Sequence, residues 1–175
     1  MKTIAIVLGT AREGRESWKV ARVLVEAFKR RNNVAVSFVD VRDHLELPRT
    51  LRKKDAPRGA FDEWQKIAEG ADVFIFVLPE YHRGYPGEWK LLIDSLDEEY
   101  RGKRGYIAGV SSGIFGGVRM GEHIKPVLIE LGLVLSRTGY YLGNVESAFT
   151  TGGELADEAA EMRLEAFVDA VLAEA

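Results

Sequence analysis

Three segments of the chain carry the residue types that could hold a small charged ligand. The first is Gly9-Thr10-Ala11-Arg12-Glu13-Gly14-Arg15-Glu16-Ser17. It brings a hydroxyl, two guanidinium groups and an N-cap serine to the start of a helical stretch. Backbone N–H groups at a helix N-terminus lack intrahelical partners, and the helix dipole favours an anion there. Arginine adds paired hydrogen bonds to phosphate oxygens. Thr10, Arg12, Arg15 and Ser17 are therefore candidate phosphate ligands. The spacing matches neither G-x-G-x-x-G nor a Walker A loop, which argues against a dinucleotide or a nucleoside triphosphate as the tightly held ligand. A phosphate monoester fits better. The competing reading is an ordinary capped strand-to-helix loop with solvated arginines.

The second segment is Pro79-Glu80-Tyr81-His82-Arg83-Gly84-Tyr85-Pro86-Gly87. Two prolines and two glycines fix its backbone path, and two tyrosines offer flat surfaces. Such a loop can present main-chain N–H and C=O groups to the polar edge of a planar heterocycle. His82 is a poor metal ligand candidate, because His44 and His123 are remote in sequence and no acidic cluster accompanies it. In the third segment, Ser111-Ser112-Gly113-Ile114-Phe115-Gly116-Gly117-Val118-Arg119, glycines 113, 116 and 117 permit positive φ and close approach of backbone to a ligand. Taken alone, that loop reads equally well as a flexible strand-to-helix link.

The elements that must position these loops follow from hydrophobic patterning. Short apolar runs at Thr3–Leu8, Asp72–Leu78 and Gly105–Val110 read as strands covered on both faces, and a weaker run lies near Arg137–Leu142. Val34–Asp40 alternates more, as an edge strand does. Amphipathic stretches separate the runs. Their apolar stripes are Trp18, Ala21, Val25, Phe28; Phe61, Trp64, Ile67; Trp89, Leu92, Leu96; Met120, Ile124, Val127, Leu131; and Leu155, Ala159, Met162, Ala166, running on toward Val171. The connection from about Val41 to Arg58, with Leu45, Leu47 and Leu51 as apolar anchors, reads as a lid or a surface crossover. Alternating strands and helices predict a three-layer α/β/α doubly wound, flavodoxin-like fold, with a five-stranded parallel sheet in the order 2-1-3-4-5. In that order the three special loops follow adjacent strands 1, 3 and 4 and open at one edge, which is what turns three turns into one site.

Composition narrows the classes. The 175 residues are expected to form one domain, and a net charge of −3 gives no general attraction to nucleic acid or anionic membrane. The absence of cysteine removes disulfides and thiol nucleophiles, so a low-molecular-weight phosphatase is excluded, and it fits a reducing cytoplasm. A response regulator is disfavoured because strand 1 ends in Gly9-Thr10 rather than in acidic residues. The apolar run after Met1 is too short for a membrane span or a signal peptide.

Several residues also fall into a known pattern: Gly9, Thr10, Arg12, Arg15 and Ser17; Pro79-Glu80-Tyr81 followed by Pro86-Gly87, Lys90, Ile93 and Asp94; and Ser111, Gly113, Gly116, Gly117 and Arg119. On these residues the chain resembles the NADPH-dependent FMN reductases over about residues 2 to 145. The resemblance implies an enzyme with FMN as cofactor and NADPH or NADH as co-substrate. It would pass hydride to FMN and on to a quinone, azo, metal-ion or free-flavin acceptor. Thr10, Arg12, Arg15 and Ser17 would hold the FMN phosphate. Pro79, Glu80, Tyr81 and His82 would frame the isoalloxazine, mainly through backbone, with Ser111 and Gly113 closing the other side. Arg83, Tyr85 and Arg119 would meet the nicotinamide or its phosphate. No catalytic side chain is required, because the cofactor carries the chemistry. The resemblance also implies a homodimer or homotetramer. One departure stands out: His82, followed by Arg83, replaces the family's usual Asn after P-E-Y. The alternative reading is a flavodoxin-like FMN-binding electron carrier or sensor without nicotinamide oxidation.

Overall fold

A computed structural model of the chain describes residues 1–46 and 61–174. Its elements are β1 (Lys2–Leu8), α1 (Ser17–Lys29), β2 (Val34–Asp40), a 3₁₀ turn (Val41–His44), α2 (Asp62–Gly70), β3 (Val73–Pro79), α3 (Gly87–Ile93), β4 (Arg104–Val110), α4 (Val118–Glu130), β5 (Val134–Leu142) and α5 (Glu158–Glu174). Leu47 and Leu51 of the long connection lie outside the described residues.

The strands pair in parallel in the order β2-β1-β3-β4-β5, so the winding reverses between β1 and β3. Alternation along the strands divides the core into two layers. Ile4, Ile6, Leu8, Val73, Ile75 and Val77 pack against α1 and α5. Ala5, Val7, Phe74, Phe76 and Leu78 pack against α2, α3 and α4. Both faces of β1 and β3 are thus buried, which is why these strands are continuous apolar runs. β2 is an edge strand, as its alternation predicts, and β5 forms the other edge. The β4–β5 register shifts between Gly105 and Ile107.

Two apolar stripes differ from expectation. Trp18 is 43% exposed and meets Phe38 edge-on; Val20, Ala21, Leu24, Val25 and Phe28 form the buried face of α1. In α5 the buried face is Ala160, Leu164, Phe167, Val168 and Val171, while Met162 is 61% exposed and Ala166 is exposed. Alanine occurs on both sides of that helix, so its pattern marks the buried stripe weakly; the larger Leu164, Phe167 and Val171 decide the rotation.

Candidate functional site

The carboxyl ends of β1, β3 and β4 open side by side, and backbone bonds hold them level. The Gly9 N–H donates to Val77 O (3.1 Å), and the Glu80 N–H to Val110 O (3.0 Å). Gly9 is required by packing: a Cβ there would stand 2.1 Å from Leu78 Cδ2 and 2.8 Å from Trp89 Cδ1. β1 can therefore turn out of the sheet tight against α3.

In the loop that follows, Thr10 is fully buried and its Oγ1 lies 2.9 Å from the Tyr81 hydroxyl. The same oxygen accepts from the Arg12 N–H at 3.3 Å, and Glu88 Oε1 accepts from the Ala11 N–H at 3.1 Å. Helix α1 begins with no side chain capping it. Its N-cap position is Glu16, so Ser17 is the first helical residue rather than the cap expected from sequence. Ser17 is 2% exposed, and its hydroxyl has no hydrogen-bond partner among the described residues. A buried hydroxyl without a partner beside an uncapped helix N-terminus is a free anion-binding pair of features. Arg12 places its guanidinium 5.9 Å from the Tyr81 ring centroid, with no carboxylate engaging it among the described residues. Arg15 turns the other way, donating through Nη1 and Nη2 to the Asp40 carboxylate and through Nη1 to Thr10 O; both side chains of this ion pair are largely buried.

The second loop makes a tight turn. Tyr81 and Gly84 exchange backbone hydrogen bonds (2.9 and 2.8 Å), and the two residues between them, His82 and Arg83, have φ of 49° and 66°. Successive positive φ values are the geometry of a two-residue hairpin turn of type I′. Tyr81 contributes to the cleft. Tyr85 instead packs its ring between Trp89 (5.1 Å) and His123 (5.3 Å). The Glu80 side chain is 7% exposed; its Oε1 accepts from Arg119 at 2.8 Å, while Oε2 is buried with no partner.

In the third loop, Gly116 and Gly117 have positive φ, and a Cβ on either would come within 3 Å of backbone atoms. Gly113 does not share that conformation and faces open space. Its carbonyl accepts from the Asn144 N–H (3.0 Å) and Ser111 Oγ (2.8 Å), which fastens the loop to the end of β5.

These loops enclose a cleft of about 330 Å³, lined by Arg12, Arg15, Ser17, Pro79, Glu80, Tyr81 and Ser111 among the residues picked out in the sequence. Thr10 stands behind it through Tyr81. Gly113, His82, Arg83, Tyr85 and Arg119 are not in its wall. Sequence reasoning missed Ser112, Val145 and Glu146 in the wall, and also Asp40, Arg42 and Glu88, which hold the first loop. Asp40 had one visible mark: it is the polar terminus of the strand beside β1. Four carboxylates line the cleft, but Glu16 is paired with Lys19 (2.6 Å) and Glu80 with Arg119, so the acidic charge there is partly neutralised.

A doubly wound sheet with a cleft at the point where the winding reverses defines a flavodoxin-like protein of the nucleotide- or flavin-binding kind. Comparison with known proteins gives the family. A model of the NADPH-dependent FMN reductases matches residues 1–146. A quinone reductase of Pseudomonas putida is 30% identical over 95% of this chain and 91% of its own length. A 2-hydroxy-1,4-benzoquinone reductase of a Burkholderia species is 30% identical over 95% of this chain and 92% of its own. Among solved structures, FerB, a flavoenzyme NAD(P)H:(acceptor) oxidoreductase of Paracoccus denitrificans, superposes with a TM-score of 0.82 at 27% identity, covering 97% of this chain and 94% of that one. The chain belongs to the NADPH-dependent FMN reductase family. It is an NAD(P)H-driven flavin oxidoreductase, with FMN as cofactor. No helix among the described residues is long and apolar enough to cross a membrane.

Proposed function

We propose that residues 1–175 act as one FMN-binding domain whose electron acceptor is a quinone, in the cytoplasm and as a homo-oligomer. The observation that carries the site assignment is the buried, partnerless Ser17 hydroxyl at the uncapped start of α1. Together with the Arg12 guanidinium it fits the phosphate of FMN. Held there, FMN would supply two-electron transfer between the nicotinamide and the acceptor.

The chain's own residues bind and orient. Ser17 and the first amides of α1 receive the phosphate, with Arg12 closing over it from the Tyr81 side. Thr10 fixes Tyr81 by its hydroxyl contact. Pro79, Glu80 and Tyr81 present the backbone that frames the ring system, with His82 in the turn just beyond the wall, and Arg119 keeps the Glu80 carboxylate in place. Ser111, with Gly113 in the turn behind it, bounds the far side. Of the residues expected to meet the nicotinamide, Arg83 is exposed in the turn after Tyr81, while Tyr85 packs against Trp89 and His123 and Arg119 is engaged with Glu80, which favours Arg83 for the nicotinamide substrate. The quinone assignment is supported by the two reductases that this chain matches across more than nine-tenths of their length. Exposed Ile114 and Phe115 beside the cleft supply an apolar surface for a second copy, and the lack of cysteine suits a reducing compartment.

Anaerobic mixing of the FMN-loaded protein with NADPH and with NADH tests the reading. Bleaching of the flavin well above the rate of free FMN is expected, followed by rapid reoxidation by a benzoquinone and slow reoxidation by an azo dye or ferric citrate. Equal bleaching of bound and free FMN would remove the enzyme reading; preference for the azo dye or the metal ion would remove the quinone.

A further inference from the structure

Two guanidinium groups grip the outer side of the first loop. Arg15 Nη1 donates to Thr10 O, Arg42 Nε donates to Ala11 O at 3.0 Å, and Arg42 Nη2 donates to Arg12 O at 2.6 Å. Three successive carbonyls are thereby held on the β2 side of the loop. Asp40 organises both arginines: its carboxylate takes the Arg15 fork, and its Oδ1 accepts the Arg42 N–H at 3.0 Å, capping the 3₁₀ turn on which Arg42 sits. The peptide bonds among the described residues are all trans. Across a trans peptide the C=O and the following N–H point in opposite directions. Holding the carbonyls of residues 10, 11 and 12 outward therefore turns the N–H groups of 11, 12 and 13 inward. Two of these are spoken for, by Glu88 Oε1 and Thr10 Oγ1; the third belongs to Glu13, a residue of the cleft wall.

We infer that Arg42 and Arg15, organised by Asp40, are positioning residues that shape the phosphate loop through its carbonyls, and that neither guanidinium is itself a phosphate ligand. The inference rests on the reading above that the FMN phosphate sits at the start of α1. It assigns function to Arg42, which lies outside the P-E-Y and glycine motifs, and it moves Arg15 from the ligand set to the scaffold. Arg42 spans its two adjacent carbonyls with two separate nitrogens, Nε and Nη2, set apart by the rigid guanidinium plane. A lysine would have to meet both from one ammonium, as Lys103 does with the carbonyls of Ala68 and Glu69, and would fix the loop less firmly.

The test compares FMN with riboflavin, which lacks the phosphate, by quenching of flavin fluorescence on the full chain and its variants Arg42→Ala, Arg42→Lys and Asp40→Asn. The expected result is a loss of FMN affinity of about tenfold in Arg42→Ala and Asp40→Asn, since charge-assisted hydrogen bonds are lost in each, and a smaller loss in Arg42→Lys, with riboflavin affinity within twofold of wild type in all three. Hydrogen exchange on the flavin-free proteins supplies a readout that a direct ligand role would not move: amides of residues 10–16 lose protection in the variants while those of β1 and β3 keep it. Rescue of FMN affinity by Arg42→Lys without recovery of loop protection would show that charge alone matters and would overturn the inference, as would unchanged loop protection in Arg42→Ala or an equal loss of riboflavin. Failure of the underlying reading is separable, because the wild-type protein would then show no preference for FMN over riboflavin.

Discussion

His82 and Arg83 are where this chain leaves the family pattern, and the backbone gives the reason for part of that change. Both residues are held at positive φ, a region that Asn and His visit more readily than other side chains and that Gly occupies without strain. An Asn at position 82 satisfies the turn; His satisfies it nearly as well. In this chain the turn conformation by itself thus accounts for a residue such as His or Asn at position 82. Arg83 is the strained member. Arg83→Gly is expected to raise stability by about 1 kcal/mol, read as a shift of the urea midpoint with unchanged slope, whereas His82→Asn should move it by only a few tenths of a kcal/mol, about the size of a minor turn preference. Ser17 makes the opposite kind of prediction. Its hydroxyl bonds nothing among the described residues, so Ser17→Ala should leave the flavin-free protein as stable as wild type, or slightly more so. It should weaken FMN by about tenfold, the worth of one hydrogen bond to a charged group, while sparing riboflavin. A loss of stability without a change in FMN affinity would make Ser17 a packing residue.

The strands were largely legible in the sequence because burial on both faces writes itself as an unbroken apolar run. β2 agrees at both ends with its run, and β1, β3 and β4 start or end within a residue of theirs. β5 begins at Val134, three residues ahead of Arg137. Its Ser136, Arg137 and Thr138 sit at a sheet edge opposite the register shift, so polar residues are tolerated there and the apolar signal fades. The helix α5 that covers this edge was misread for a related reason, since small alanines fill both of its sides. In the site, the glycine, proline and arginine residues announced the three loops. The contacts made by Asp40, Arg42 and Glu88 were hidden, because they join positions 25 to 77 residues apart. β5 also carries a pH-sensitive group. Tyr140 is 2% exposed against Phe167 of α5, its hydroxyl has no partner, and burial pushes its phenol up to about 12. Burial likewise pushes Tyr106 up to about 12. The unfolded phenols titrate near ~10, so between ~10 and the folded value the unfolded chain has released protons that the folded one retains. Stability from these groups is complete below ~10 and is lost as pH rises toward the folded value. Tyr140→Phe should therefore stabilise at neutral pH by about 1 kcal/mol, the order of an unsatisfied buried hydroxyl. It should also shrink the alkaline loss, leaving the share due to Tyr106, as followed by urea unfolding against pH and by tyrosinate absorbance.

At the scale of the molecule, the site is suspended from the ends of β1, β3 and β4, the three central strands of one sheet. Ligand binding there is coupled to unfolding of the sheet rather than of a single loop. FMN at a hundredfold excess over its dissociation constant should therefore add about 2.7 kcal/mol to global unfolding, visible as one transition moved intact to higher denaturant. A second transition that FMN leaves in place would mean that part of the chain unfolds independently. The same placement bears on assembly. Ile114 is 74% exposed and Phe115 56% exposed on the loop after β4, with Val118 opening α4 beside them and the Arg119 guanidinium 4.9 Å from the Phe115 ring centroid. Each such side chain gains about 1.5–3 kcal/mol on full burial, so two or three of them against a second copy are enough to matter for association. The loop bearing them also closes the cleft through Ser111 and Ser112, so association and FMN retention should move together. If the proposed homo-oligomer forms through this face, dilution of the wild-type protein should then release FMN as it dissociates. Phe115→Glu should give a monomer by light scattering with faster FMN release, at a folded-state stability per chain close to that of diluted wild type. If Phe115→Glu stays oligomeric the interface lies elsewhere. If it becomes a monomer that holds FMN as tightly as before, each copy completes its own site.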